Sequence, residues 1–430
     1  MSPRVAVIGG GWAGCAAALR LANAGLSVTL FEAAKVLGGR ARAVELNGQR
    51  LDNGQHILLG AYDQTLKLIA EVNPHDLGPS DAPLLRLPLS LEQPPHFSLV
   101  CNRWPAPFHL FIGLWSSRGL GFFDKLAASR WMRSILDSRE DIADTSVSQL
   151  IANQPSTVRT LLWEPLCMAA LNTRPEQASA RIFRQVLAAS FGKTQSHSDL
   201  LFPRKDLTRL FPAPASRQVM ARRGEIRLQT RVIALRADRH RIQVSSSGST
   251  MDFDRVIVAV APQHVAALCA EIPELNDVCR IVKSYHYEVI ATVYLQYPQD
   301  VRLSRPMLSL EGGPAHFVFD RGHTHGQPGL LACVISAASA LLGHPRSEWT
   351  GGIERQISRI FALPAPSWQK AIVEKQATYL CSPNTRKPSN DTPHPLVFLA
   401  GDYTTGPYPA TLESAMTSGV KSAQTLLNSL

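Results

Sequence analysis

A chain of 430 residues is too long for one ordinary small domain and suits about two or three. Its 45% hydrophobic and 18% charged residues can bury a large core, which excludes a disordered protein. The net charge of +10 favours anionic partners, such as a phosphate-bearing cofactor or an acidic lipid surface; no nucleic-acid motif accompanies it.

Residues 5–8 are a short apolar β-run stopped by glycines. Residues 12–24 read as a helix of small residues ending at Gly25, and 27–31 as a second strand closed by Glu32. The uncharged run 5–19 contains Gly9, Gly10, Gly11 and Gly14 and is shorter than the ~20 residues of a membrane span. Neither a signal peptide nor a span is expected, so any membrane contact should be peripheral. Asn47-Gly48 between short β-runs predicts a hairpin. From about 75 to 205, prolines and aromatics become frequent, with helices predicted over 122–136 and 146–152. Strand signals return at 226–228, 232–235, 242–244 and 256–260. The span 265–385 mixes strands at 289–295 and 331–336 with a helix around 349–362. Residues 396–400 are apolar and extended, 401–410 form a loop, and apolar positions then recur at helical spacing up to Leu427. Cys15, Cys101, Cys167, Cys269, Cys279, Cys333 and Cys381 are odd in number, with no Cys-x-x-Cys pair. Neither a disulfide framework nor a metal site is expected of them, but mostly buried thiols.

Four phrases carry chemistry. Gly9-Gly10-Gly11-Trp12-Ala13-Gly14 fits G-x-G-x-x-G. Gly9 permits a tight turn, Gly11 lets backbone N–H groups approach a pyrophosphate at a helix N-terminus, and Gly14 allows close helix–strand packing. Glu32, ending the next strand, is placed to hold a ribose. In Leu37-Gly38-Gly39-Arg40, a second glycine pair brings backbone close and Arg40 offers a planar fork for a phosphate. Asp52-Asn53-Gly54-Gln55-His56 is a polar phrase bracketed by apolar residues. Gly401-Asp402 places a carboxylate near a polyhydroxyl chain, and the following helix offers free N–H groups to an electron-rich ring. A Rossmann unit alone fits NAD or FAD. A second glycine loop and a distant Gly-Asp suit a longer ligand clamped from both ends of the chain, namely FAD.

In this order, the four phrases resemble the superfamily of flavin-containing amine oxidases and carotenoid desaturases. The resemblance implies an α/β fold with a discontinuous, Rossmann-like FAD-binding domain of the glutathione-reductase-like kind, residues 1–75, 205–265 and 385–430. Inserted into it would be an α+β substrate domain, 76–204 and 266–384, with a helical lid. It implies that Gly9, Gly11, Trp12, Ala13 and Gly14 line the pyrophosphate, Glu32 the ribose, and Gly39 and Arg40 the phosphate region. Val232 would hold adenine through its backbone, and Gly401 and Asp402 would meet the ribityl–phosphate stretch. Leu412 and Glu413 would lie beside the flavin ring, with Asn53, Gly54 and Gln55 also in the cofactor set. Oxidases of this superfamily often carry a lysine near the flavin; the matching strand, residues 287–294, has none.

The phrases from Leu51 to Gly60, Trp163-Glu164-Pro165-Leu166, Asn172-Thr173-Arg174-Pro175, Leu201-Phe202-Pro203-Arg204 and Gly401 to Gly406 are more specific. They resemble a squalene-associated branch, the hydroxysqualene dehydroxylases of bacterial hopanoid pathways. That resemblance implies hydride delivery from reduced FAD to hydroxysqualene, giving squalene and water, with an unidentified electron donor. It implies a cytoplasmic protein held peripherally on the inner face of the cell membrane. Loss of the hydroxyl needs a proton donor, for which His56, Glu164 and Tyr403 are candidates. Residues 103–135 combine Trp104, Phe108, Phe111, Trp115, Phe122, Phe123 and Trp131 with Arg103, Arg118, Lys125, Arg130 and Arg133, which suits an interfacial face or a buried lid. The alternatives are a phytoene-like desaturase or an amine oxidase, which take hydrogen from the substrate, and a non-catalytic isoprenoid carrier. Against the carrier stand the intact glycines, Glu32, Arg40 and Asp402.

Overall fold

Val5, Ala6, Val7 and Ile8 alternate between two apolar layers, which is what a strand covered on both faces requires. They form the middle strand, Arg4–Ile8, of a five-stranded parallel sheet in the computed structural model, which describes residues 2–75, 81–137, 143–238 and 240–430. The sheet order is Glu225–Arg227, Ser27–Phe31, Arg4–Ile8, Arg255–Val258, Val397–Leu399, so three distant stretches of sequence contribute to it. One face is covered by helices Trp12–Asn23 and Leu412–Asn428. The other is covered by the antiparallel strands Val232–Ala237, Ile242–Ser246 and Ser249–Phe253 and by helices Pro262–Leu268 and Asn276–Lys283.

A second five-stranded sheet is antiparallel throughout, in the order Met307–Ser309, Phe317–Asp320, Leu330–Ile335, Tyr287–Gln296, Trp368–Tyr379. Helix Arg346–Phe361 packs on one face of it. The opposite face meets the hairpin Ala43–Leu46 and Gln49–Asp52 and the strand Leu200–Pro203. Helices Phe108–Ser116, Phe122–Asp137, Glu164–Leu171 and Ala180–Phe191 enclose a separate apolar core.

The expected hairpin forms, with Asn47 and Gly48 both at positive φ. The helix expected over 146–152 is shorter, Val147–Leu150, and starts at a capping box between Ser146 and Gln149. The strand Trp368–Tyr379 is not anticipated from the sequence: it lies at a sheet edge, so its exposed side chains interrupt the apolar pattern. All seven cysteines are free and buried. Among the described residues no helix is long and apolar enough to cross a membrane. The boundary expected at residue 76 lies outside the described residues.

Small residues set the spacing between the parallel sheet and the helices on it. A Cβ on Gly14 would stand 1.9 Å from the Gly9 carbonyl oxygen, and one on Gly419 would stand 2.2 Å from that of Ala13. Helix Leu412–Asn428 therefore touches the first helix backbone to backbone. Gly419→Ala is expected to lower stability by about 1–3 kcal/mol, the cost of forcing a methyl into a filled space. Thermal unfolding checks it; an unchanged midpoint would show that the two helices can separate freely.

Candidate functional site

The N-terminus of helix Trp12–Asn23 has no capping side chain and no acidic residue in its first turn. Its unpaired N–H groups and positive dipole end are left for an anion. Gly11, the N-cap, has an ordinary φ of −72°, and a Cβ built on it meets nothing nearer than Gly39 Cα at 3.9 Å. Neither backbone strain nor protein packing demands glycine here, and the space in front of the backbone is open. Gly38 N–H donates to the Gly10 carbonyl at 2.8 Å, laying the second glycine loop against the first. Trp12 holds that loop from below, donating from Nε1 to the Ala41 carbonyl at 2.9 Å.

Glu32 stands at the rim of this cradle, where its carboxylate accepts from Gly10 N (2.8 Å) and Ala34 N (2.7 Å). Thr230 N donates to the Glu32 carbonyl at 2.9 Å, so the segment entering Val232 runs beside it. Arg40 reaches across to the other end of the chain: Nη2 meets Asp402 Oδ1 at 2.7 Å and Nη1 donates to the Ala377 carbonyl at 2.8 Å. Gly401 N–H donates to Ser418 Oγ at 2.9 Å, fixing the Gly-Asp turn on the last helix. Thr411 caps that helix at Ser414 N, leaving the N–H groups of Leu412 and Glu413 ahead of it.

Three side chains expected against the cofactor are engaged elsewhere. Asn53 Nδ2 donates to the Arg40 carbonyl (2.8 Å) and its Oδ1 accepts from Arg42 N (3.0 Å), so it braces the glycine loop. Gln55 bridges Tyr294 Oη (2.8 Å) and Arg321 Nη1 (3.3 Å). Glu413 accepts from Gln64 N, Thr65 N and Thr65 Oγ1 at 3.0, 2.8 and 2.7 Å, and burial raises its pKa above the usual carboxylate value.

The three proton-donor candidates stand in different surroundings. His56 lies by Gly54, its Nδ1 3.3 Å from the Gly54 carbonyl. Burial holds its pKa below the usual value, and nearby Arg40 adds to this against the opposing pull of Asp52. Tyr403 is fully buried with an unpartnered hydroxyl, and burial drives its pKa well up, which weakens it as an acid. Glu164 begins a helix of the separate helical core, beside Trp163 and Cys167. Asn172, left-handed at φ 47°, ties that core to the second sheet through Thr378 Oγ1 (3.0 Å) and Ala337 N (2.8 Å).

The sequence reading misses the group that fixes the polar phrase. Arg321, 1% exposed, contacts Asp52 Oδ2 at 3.3 Å, and His325 Nε2 lies 3.5 Å from the same oxygen. Burial opposes the Asp52 carboxylate, but His325 and Arg321 outweigh it and hold its pKa below the usual range. Tyr294 donates to the Asp52 carbonyl at 2.6 Å. Arginine is rarely buried, so residue type gives no signal of this role. Also missed is Thr292, 1% exposed on strand Tyr287–Gln296, whose hydroxyl has no partner.

The 103–135 stretch divides. Leu110, Leu114 and Met132 face the helical core and, with Phe111, Trp163 and Leu166, line an apolar cleft. Trp131 also faces inward, its ring 4.5 Å from that of Trp163. Lys125 is drawn to the end of the preceding helix, donating to the Trp115 and Ser117 carbonyls at 2.9 and 2.8 Å. Trp104, Phe108, Ile112, Trp115, Phe122 and Phe123 are exposed, and the rings of Trp115, Phe122 and Phe123 touch in series.

The family described as flavin containing amine oxidoreductase matches residues 12–427. The hydroxysqualene dehydroxylase of Sinorhizobium fredii is 27% identical, covering 100% of this chain and 99% of that protein. That of Rhodopseudomonas palustris is 26% identical, covering 99% of each. A crystal structure of an oxidoreductase from Methanosarcina mazei superposes with a TM-score of 0.75 at 16% identity, over 98% of this chain and 99% of that one. Gly11→Val is expected to fold while retaining roughly 5- to 150-fold less FAD, since overpacking against a ligand costs about 1–3 kcal/mol. Flavin absorbance per chain and the circular dichroism of the apoprotein check it; undiminished flavin would place the pyrophosphate elsewhere.

Proposed function

Because this chain belongs to the flavin containing amine oxidoreductase family and is an FAD-dependent oxidoreductase, we propose that it reductively removes the hydroxyl of hydroxysqualene to give squalene. We read residues 1–75, 205–265 and 385–430 as its FAD-binding part and 76–204 and 266–384 as its substrate-binding part. The observation that carries the reading is the wall beside Gly54. The face of strand Tyr287–Gln296 presented there has Ile290, with Val334 and Ile372 beside Thr292 on the neighbouring strands. It carries no lysine, and Glu288 is turned away to Val289 N and Ser339 N, both at 2.9 Å. Such a wall suits a hydrocarbon, and the carboxylate at its edge, Glu374 opposite Ile290, faces the charge of Arg40. The two named relatives act on the same substrate class by name.

Residues 9–14, Glu32, Gly39, Arg40, Asp402 and the backbone at Leu412 would hold FAD, with the uncapped helix end meeting its phosphates. Bound and reduced, FAD supplies the hydride that replaces the hydroxyl. The apolar wall excludes water from the carbon that gains positive character as the hydroxyl departs. The departing oxygen takes a proton and leaves as water. His56 is the candidate donor that lies at this wall, across Gly54 from Thr292, where burial holds its pKa below the usual value. With the flavin chemically reduced and air excluded, one equivalent of hydroxysqualene should reoxidise it as squalene appears in equal amount. A flavin that stays reduced with no squalene formed would overturn this reading and direct attention to hydrogen removal by the oxidised protein.

We also propose that the exposed aromatic cluster docks on an anionic bilayer. Among the described residues, six of the twelve exposed large hydrophobics fall between Trp104 and Phe123, flanked by exposed Arg103 and Arg118. The doubly substituted Phe122→Ser/Phe123→Ser protein should bind phosphatidylcholine–phosphatidylglycerol vesicles roughly tenfold or more weakly, from the lost burial of two rings. Flotation that equals wild type would remove the membrane face.

A further inference from the structure

Within that reading, one side chain on the wall has no structural use. Thr292 sits in the middle of strand Tyr287–Gln296, with Val334 and Ile372 opposite it on the two neighbouring strands. Its side chain is 1% exposed and its Oγ1 has no hydrogen-bonding partner. An unpaired buried hydroxyl costs stability, and valine would fill the same shape without that cost. The hydroxyl points to Gly54: Oγ1 lies 3.9 Å from where a Cβ of that glycine would stand, and His56 Cε1 lies at the same distance from the same point. Gly54 has no positive φ and no crowding neighbour, so its missing side chain keeps open the space between the hydroxyl and the imidazole. The strand is locked to this loop two residues on, where Tyr294 bonds both Gln55 and the Asp52 carbonyl.

We propose that Thr292 is the residue that recognises the substrate's oxygen: its hydroxyl donates a hydrogen bond to the alcohol of a long isoprenoid, across Gly54 from His56. No bond is made or broken by Thr292. An alcohol is too weak an acid to surrender its proton, and the role is to select and orient a hydroxylated chain over the plain hydrocarbon of the same length. A site built around a hydrogen bond rejects a ligand lacking the group, because the protein's own hydroxyl is then left unpaired. The inference rests on the dehydroxylase reading for the identity of the ligand, and on the geometry alone for the existence of the anchor.

The test uses the oxidised holoprotein, in which nothing turns over, titrated with hydroxysqualene or squalene in detergent and followed by the shift of the flavin spectrum. Wild type is expected to bind the alcohol roughly tenfold more tightly than the hydrocarbon, the worth of one neutral hydrogen bond of about 1.4 kcal/mol. Thr292→Val should bind both alike, and Thr292→Ser should restore the preference. The thermal midpoint of Thr292→Val should equal or exceed that of wild type, with flavin content unchanged. A lower midpoint would show that the hydroxyl serves the fold and would overturn the proposal. If wild type prefers the alcohol and Thr292→Val keeps that preference, the anchor is wrong while the dehydroxylase reading stands. If wild type shows no preference, both fall together.

Discussion

The carboxylate of Asp52 and the guanidinium of Arg321 meet at 3.3 Å with side chains only 4% and 1% exposed. Removing both charges from water is expensive, and the pair survives because its remaining hydrogen-bonding capacity is taken up nearby. Leu207 N donates to Asp52 Oδ1 at 2.8 Å, while Arg321 also reaches Gln327 Oε1 (2.6 Å) and Gln55 Oε1 (3.3 Å). Breaking such a pair by deleting one partner typically costs about 3–5 kcal/mol, so the two parts of the protein that carry it have one permitted registration. Asp52 ends the hairpin that leads into Gly54 and His56, and Arg321 follows the strand Phe317–Asp320 of the second sheet. The pair thus sets the distance between the polar phrase and the wall that bears Thr292.

Around this lock the molecule separates two kinds of solvent. At the glycine cradle the backbone is bared: an uncapped helix end, two apposed loops and Arg40 held by Asp402 make a place for negative charge. Beyond Gly54 the surroundings turn apolar, with Ile290, Val334 and Ile372 supplied by three adjacent strands. A ligand with a phosphate end and a ring end would span the two, with its ring end where a low dielectric strengthens every remaining polar contact. The same division explains why Asn53 and Gln55 turn inward. Their amides brace the junction between the two environments, where a displaced loop would expose one to the other.

Much of the parallel-sheet layer is legible in the sequence, because a sheet covered on both faces writes itself as short apolar runs. Val5 to Ile8 and Val256 to Val258 are examples, and Asn47-Gly48 marks its hairpin by φ preference alone. The second sheet is less legible at its edge. In Trp368–Tyr379, Gln369, Lys370 and Glu374 interrupt the pattern, and a strand with one neighbour needs no continuous apolar run. Side-chain direction is harder still. Whether Glu413 faces a ligand or Thr65 depends on a residue hundreds of positions away. Thr292 lies in a strand whose existence is readable, but only the burial of a hydroxyl with no partner distinguishes it from any other β-branched residue.

The order of strands in the parallel sheet has a temporal meaning. Arg4–Ile8 and Ser27–Phe31 emerge early in synthesis, yet Val397–Leu399 and the helix that covers them, Leu412–Asn428, come from the far end of the sequence. The first helix, rich in alanine, packs on Phe211, Ala215 and Val219 from the middle of the sequence, but its backbone contact at Gly419 waits for the last helix. Closure of so long a loop is slow, and the waiting surface is sticky. A ribosome that stalls before residue 397 therefore leaves residues 4–31 with one edge of their sheet and part of their helical cover unmade.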